Sequence, residues 1–159
     1  METTLLLKAD DIARLTNISG NVDIDKLTPF IYMAQKNNLR RILGLELYNK
    51  ISIEFDSETL SGDYLSVYDY IRDILVYYSA SYYWLFGHYT IDNAGAYTKT
   101  VENGNNLEEN SVIRIGTMWE QQGAASEMQL TAYLKTVNIP EYGNSCDSSS
   151  TPKFNWYLD

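Results

Sequence analysis

Cysteine and histidine are nearly absent from the chain: Cys146 and His88 are the only ones in 159 residues. A lone cysteine excludes an internal disulfide framework, and with a single imidazole no zinc site of the usual Cys/His kind can form within one chain. The scarcity also points to a reducing compartment. Basic residues are few as well. Twelve Lys and Arg against 21 Asp and Glu leave a net charge of −9, the wrong balance for gripping nucleic acid by counterion release. Such a chain suits a duplex only where the duplex must slide past it. Long apolar runs are missing too. METTLLLK at the start has no basic leader ahead of an apolar stretch, so no secretory signal is expected. The longest apolar run, from Ile74 to Phe86, contains two serines and is too short to span a bilayer, so no membrane association is expected.

Catalytic signatures are missing in the same way. There is no glycine-rich phosphate loop, no nucleophile elbow and no HExxH string. His88 follows Gly87 at an aromatic helix end and reads as structural. The acidic pairs Asp10/Asp11, Asp23/Asp25 and Glu108/Glu109 read as solvated surface charge, and Cys146 has no base or cation beside it. The expectation is no enzyme, with no catalytic residue, cofactor or metal ligand.

Tyrosine is present in excess: fourteen in all, eight of them in YLSVYDYIRDILVYYSASYYWLFGHY, residues 64–89. Tyr64, Val67, Tyr68, Ile71, Ile74, Leu75, Tyr78, Tyr82, Leu85, Phe86 and Tyr89 recur at three and four, the period of an α-helix. Tyr70, Tyr77, Tyr83 and Trp84 add aromatic surface off that stripe, so the helix belongs in an interior. Its last four turns are the expected centre of the core. Where wrapping is incomplete, Tyr70, Tyr77 and Tyr83 become candidate contacts between subunits, because aromatic residues dominate interface hot spots.

Around this element the chain reads as follows. A short helix runs to about Leu15 behind Asp10 and Asp11. TNISGNVDID is turn material, and Thr28-Pro29 reads as an N-cap and first position, so a second helix is expected from Pro29. That helix buries Phe30, Ile31, Met33, Ala34, Leu39, Ile42 and Leu43. Gly44 marks a break, and a third helix follows, with Leu45, Leu47, Tyr48, Ile51 and Phe55 for burial. After Tyr89 helical periodicity fails. Asn103-Gly104 inside YTKTVENGNNL is the strongest short hairpin signal, placing a small β-hairpin at about 97–107. Its flanks are polar, so it would need a neighbour. A second long helix from about Ser111 to Val137 carries Ile115, Met118, Trp119, Gln122, Ala125, Met128, Leu130, Tyr133, Leu134 and Val137, with Asn106 and Glu109 as a capping box. From Asn144 the chain is small and polar, NSCDSSSTP, and then ends in FNWYLD. That segment either folds back on its own helices or docks its aromatic cluster into a partner.

Three stretches together resemble one family. LTPFIYMAQKNNLRRILGLELYNKI, with Ala34-Gln35, Leu43-Gly44 and Leu47-Tyr48, is similar to the N-terminal helices of head–tail connector proteins of tailed bacteriophages. The likeness is nearest to those of crAss-like phages and other phages of Bacteroidetes hosts. TVENGNNLEENS and LTAYLKTVNIPEY match the C-terminal half of the same family. The resemblance covers residues 10–142; residues 144–159 have no counterpart in it.

The resemblance implies a virion structural protein of the neck, assembled in the host bacterial cytoplasm. About twelve copies form a ring under the portal protein and extend the channel for genome packaging and ejection. Its implied partners are the portal, copies of itself, further neck or tail proteins, and double-stranded DNA that passes through the lumen without specific binding. Phe154, Trp156, Tyr157 and Leu158 are the expected docking residues. Tyr97, Val101, Asn103 and Gly104 of the hairpin join Tyr70, Tyr77 and Tyr83 as expected subunit contacts. The expected architecture is all-α: about five helices around one long central helix, with a small β-hairpin, in a connector domain at 1–142, then a flexible linker and aromatic anchor at 143–159. The other reading open to an acidic helical chain is a small binding module, of anti-host or immunity type, that covers a basic target as a monomer or dimer. An enzyme of unknown type would instead need a pocket lined by the tyrosine-rich helix near His88.

Overall fold

The computed structural model describes residues 4–18, 22–87, 89–92, 95–98 and 108–143. The architecture is mostly helical. Helix α1 is Ala9–Leu15 and α2 is Ile24–Ala34, which passes through a π-helical turn, Gln35–Leu39, into α3, Arg40–Asp56. Helix α4 is Gly62–Phe86, strands β1 (Tyr89–Asp92) and β2 (Gly95–Thr98) pair antiparallel, and α5 is Glu109–Leu134.

The centre is α4. Val67, Ile71, Ile74, Leu75, Val76, Tyr78 and Ala80 are buried along it, and each large apolar side chain so covered contributes about 1.5–3 kcal/mol. Helix α5 lies antiparallel to it: Tyr133 meets Tyr70, Trp119 stacks on Tyr77 and Gly116 faces Leu85. On other sides the N-terminal segment, α1, α2 and the π turn close the core with Leu6, Ile12, Leu27, Ile31 and Leu39. Most of the buried residues of α4, from Leu75 to Ser81, fall within the last four turns expected, but burial also reaches back to Val67 and ends at Ser81; Phe86 is half-exposed. Tyr89 is not in the helix at all. It opens β1, opposite Thr98.

Two helix starts differ from expectation. Helix α2 begins at Ile24, capped by Asp23, whose carboxylate accepts the Asp25 N–H at 3.2 Å. Pro29 therefore lies inside the helix rather than at its first position. The N–H it lacks would have served the carbonyl of exposed Asp25, which water can satisfy. Helix α5 takes Glu108 as N-cap without a side-chain bond, so no capping box closes there among the described residues; Asn106 lies outside them. The Asn103-Gly104 turn also lies outside them. The ribbon that is described sits upstream, with Tyr97 opposite Thr90.

The buried face of α5 departs furthest from expectation. Gly116, Gly123, Ser126, Leu130 and Leu134 are buried, whereas Met118, Gln122, Ala125 and Met128 are exposed. Small residues win here because two long helices have come close. A β-carbon on Gly123 would stand 2.9 Å from the Tyr78 ring, and one on Gly116 would stand 2.7 Å from Leu85.

Candidate functional site

Two backbone irregularities flank a groove between α2 and α3. At the end of α2 the Arg40 N–H bonds to the Gln35 carbonyl, a π-type step that fits one extra residue into the turn. Adjacent Ala34 and Gln35 can then both be buried, and Leu39 resumes the core face. Five residues on, Gly44 has φ 74° and ψ 170°, a region that is essentially glycine's alone. Residues 40–43 continue the incoming helix and residues 45–56 leave on a new path. The break predicted at Gly44 is where the chain turns.

Between the two segments lies a groove of about 510 Å³, within the size range of ligand sites. Tyr32, Lys36 and Arg40 line one side, and Leu45, Tyr48, Asn49, Ser52 and Ile53 the other. Leu45, expected in the core, is 49% exposed; Ile53 is 67% and Tyr32 39% exposed. Gln35 also lines the groove and is 1% exposed. Its Oε1 accepts the Leu6 N–H at 3.0 Å, and its Nε2 donates to the Thr4 carbonyl and the Tyr48 hydroxyl, both at 2.7 Å. Those bonds hold the N-terminal segment and α3 on one rigid polar pin. Lys36 Nζ lies 5.7 Å from the centre of the Tyr32 ring. Neither Lys36 nor Arg40 forms a salt bridge among the described residues. Apolar walls, a hydrogen-bonded Gln35 and a cationic rim suit an aromatic or aliphatic side chain with a carboxylate close by.

A second surface lies on α5. Met118, Gln121, Ala125, Met128 and Ala132 are exposed at spacings of three and four, the seam period of helix–helix contacts. Met128 is 75% exposed. No charge interrupts that seam between Arg114 and Lys135. Glu120 and Glu127 project elsewhere, Glu127 onto Arg41 at 2.7 Å.

Of the residues expected at sites, Tyr70, Tyr77 and Tyr83 are half-buried, each against a ring of the same chain: Tyr133 at 5.2 Å, Trp119 at 5.8 Å and Phe30 at 5.8 Å. Each ring is thus partly covered within the chain itself. Tyr97 lies in β2. His88, Val101, Asn103, Gly104, Cys146, Phe154, Trp156, Tyr157 and Leu158 lie outside the described residues. Asp10/Asp11, Asp23/Asp25 and Glu108/Glu109 do not form a metal-binding group: none of three or more His, Cys, Asp or Glu occurs among the described residues. No described helix is long and apolar enough to cross a membrane. Sequence reasoning missed Lys36, Arg40 and Ile53 as site residues. Their one advance signal was a glycine break immediately after a basic helix end.

The chain beyond α5 is pinned beside this region. The Tyr64 hydroxyl donates to Glu141 Oε2 at 2.7 Å. That bond, with burial adding to it, pushes the Tyr64 hydroxyl up to about 12, and it holds the Glu141 carboxyl below its usual value of 4.5. Lys50, bonded to Glu54 and raised by it, also feels Glu141. The depressed carboxyl stabilises the fold above the unfolded carboxyl range and loses that effect as pH falls through its lowered value. The raised hydroxyl stabilises below pH 10 and loses its effect as pH rises through about 12. Tyr64→Phe should therefore lower the urea midpoint slightly at neutral pH, with the gap to wild type closing at both extremes. A pH-independent gap in urea titrations would contradict this.

The chain belongs to a family of unknown function, DUF6712, whose profile matches residues 39–152. No curated protein and no solved structure matches it.

Proposed function

We propose that this DUF6712 member is a virion structural protein that forms a ring below the portal of a tailed phage, joining head to tail and lengthening the DNA channel. One observation carries the reading. A chain of net charge −9 leaves the outer seam of its second long helix uncharged from Met118 to Ala132. Copies that repel one another elsewhere can approach there, and a contact to a different surface of the next copy closes into a ring when its rotation allows. The acidic remainder is compatible with a lumen that repels phosphates, so that a duplex slides through. The resemblance of residues 10–142 to phage connectors supports the same reading and supplies the portal as partner. In it, Phe154, Trp156, Tyr157 and Leu158 dock on the portal, each weak contact strengthened by the number of copies.

The test is native mass spectrometry with and without portal protein. A large ring in the presence of portal is the expected result, while a persistent monomer or dimer would favour the small binding module. Met128→Glu changes an exposed residue, so the fold should survive; ring population should fall about tenfold, the effect of about 1.4 kcal/mol per contact. Full assembly by that variant would remove the seam from the interface. Deleting residues 152–159 should leave the helical circular dichroism unchanged and weaken co-sedimentation with portal by a similar factor. Undiminished co-sedimentation would overturn the anchor assignment.

A further inference from the structure

The groove between α2 and α3 brings three exposed apolar side chains and two cations, without carboxylate partners among the described residues, into one concavity. We propose that in the free subunit this groove holds the chain's own residues 154–159, FNWYLD. The first ground is chemical complementarity. Within six residues that segment offers Phe154, Trp156, Tyr157 and Leu158 to walls made by Tyr32, Leu45 and Ile53, and then Asp159 to a rim made by Lys36 and Arg40. Elsewhere, the residues outside the described ones contain no Phe, Trp or Tyr. No other such aromatic stretch lies outside the described residues.

The second ground is position. Bonded to Tyr64 and felt by Lys50, Glu141 brings the chain beside α3, and the next face of that helix, Asn49 to Ile53, lines the groove. From Gly143 to Phe154 there are eleven steps of chain, which span at most about 36 Å when extended. The arm of α3 from Leu45 to Asp56 is only about 18 Å long. The tether is thus about twice as long as the arm that walls the groove.

The third ground is competition. A tether of this length gives an effective concentration in the millimolar range, whereas a second copy must approach against like charge. The chain's own segment therefore wins over a neighbour's. Its aromatic side chains are then covered until a surface that binds them better draws them out, which also empties the groove. This inference rests on the groove and the tether, and it stands whether or not the protein forms a ring.

Zero-length carbodiimide cross-linking of the full-length protein, without any partner, tests it. The expected product is a Lys36–Asp159 linked peptide recovered from the monomer band. Ile53→Glu should lower its yield at least about fivefold while circular dichroism stays unchanged, since that side chain is largely solvent-facing. A benzoylphenylalanine at position 156 should, on irradiation, label Tyr32, Leu45 or Ile53 of the same chain. Linkage confined to the dimer band, or other lysines linking to Asp159 in place of Lys36, would overturn the proposal. So would full yield from Ile53→Glu. Ring assembly is read separately, with portal present, so failure of one reading leaves the other measurable.

Discussion

Gln35→Ala is expected to lower the stability of the fold by about 3 kcal/mol, a large fraction of what holds an ordinary domain together. The side chain is 1% exposed and makes three bonds: from the Leu6 N–H, to the Thr4 carbonyl and to the Tyr48 hydroxyl. Losing it strands the Leu6 N–H among buried neighbours, a penalty of about 1–3 kcal/mol by itself. The emptied volume adds a cavity term. Tyr48 is half-buried and can turn to water, so its share is the smallest. Gln35→Met restores most of the volume but none of the bonds, so the gap between Met and wild type isolates the polar part. Equilibrium denaturation of the three proteins measures both terms. Hydrogen exchange should show the loss concentrated at residues 4–7, where Leu6 and Leu7 enter the core. If Gln35→Met matched wild type, the pin would be packing alone, and the groove would lose the rigid base that its geometry implies.

The contrast between Gln35 and Gly44 shows what a sequence can disclose about such a site. Gly44 was legible because a backbone at φ 74° excludes nearly every other residue, so the break announces itself locally. Gln35 was not, because its partners Thr4 and Leu6 on one side and Tyr48 on the other are supplied from two stretches that meet it only after folding. The long helices were legible from the 3.6-residue period, and α4 appears within a few residues of its expected bounds. The Thr28-Pro29 signal misled because Asp23 supplied an earlier cap, and the proline could be tolerated where the missing bond faced solvent. Leu45 looked like core by its type; the π turn and the break together rotate it to a groove wall, and neither can be counted from residue spacing. The groove is thus a consequence of two backbone irregularities, only one of which the sequence advertises.

Gly123→Val is expected to destabilise the protein by about 3 kcal/mol or more, a loss of roughly 6–12 °C in Tm for a domain of this size. A β-carbon at 123 would sit 2.9–3.0 Å from three atoms of the Tyr78 ring. Tyr78 is nearly buried on α4, and its neighbour Tyr82 lies stacked with ring centroids 6.5 Å apart, so the ring has little room to retreat. The two γ-methyls of valine enlarge the clash. Alanine is the informative control. It gains up to about 1 kcal/mol of helix propensity over glycine and adds one methyl, so Gly123→Ala should come out near neutral to 1 kcal/mol destabilising. Tyr78→Leu removes the ring that obstructs position 123. In a double-mutant cycle with Gly123→Ala, the pair should therefore show favourable coupling of more than about 0.5 kcal/mol. Additive effects would mean that the helices separate as a unit instead of resisting at this contact. The same cycle bears on assembly, because a close α4–α5 pair turns the small residues of α5 inward and leaves Met118, Ala125 and Met128 outside. If Gly123→Val forces α5 to roll, the uncharged seam is displaced with it. Subunits of that variant that remain folded at low temperature should then lose ring formation with portal to the same degree as Met128→Glu.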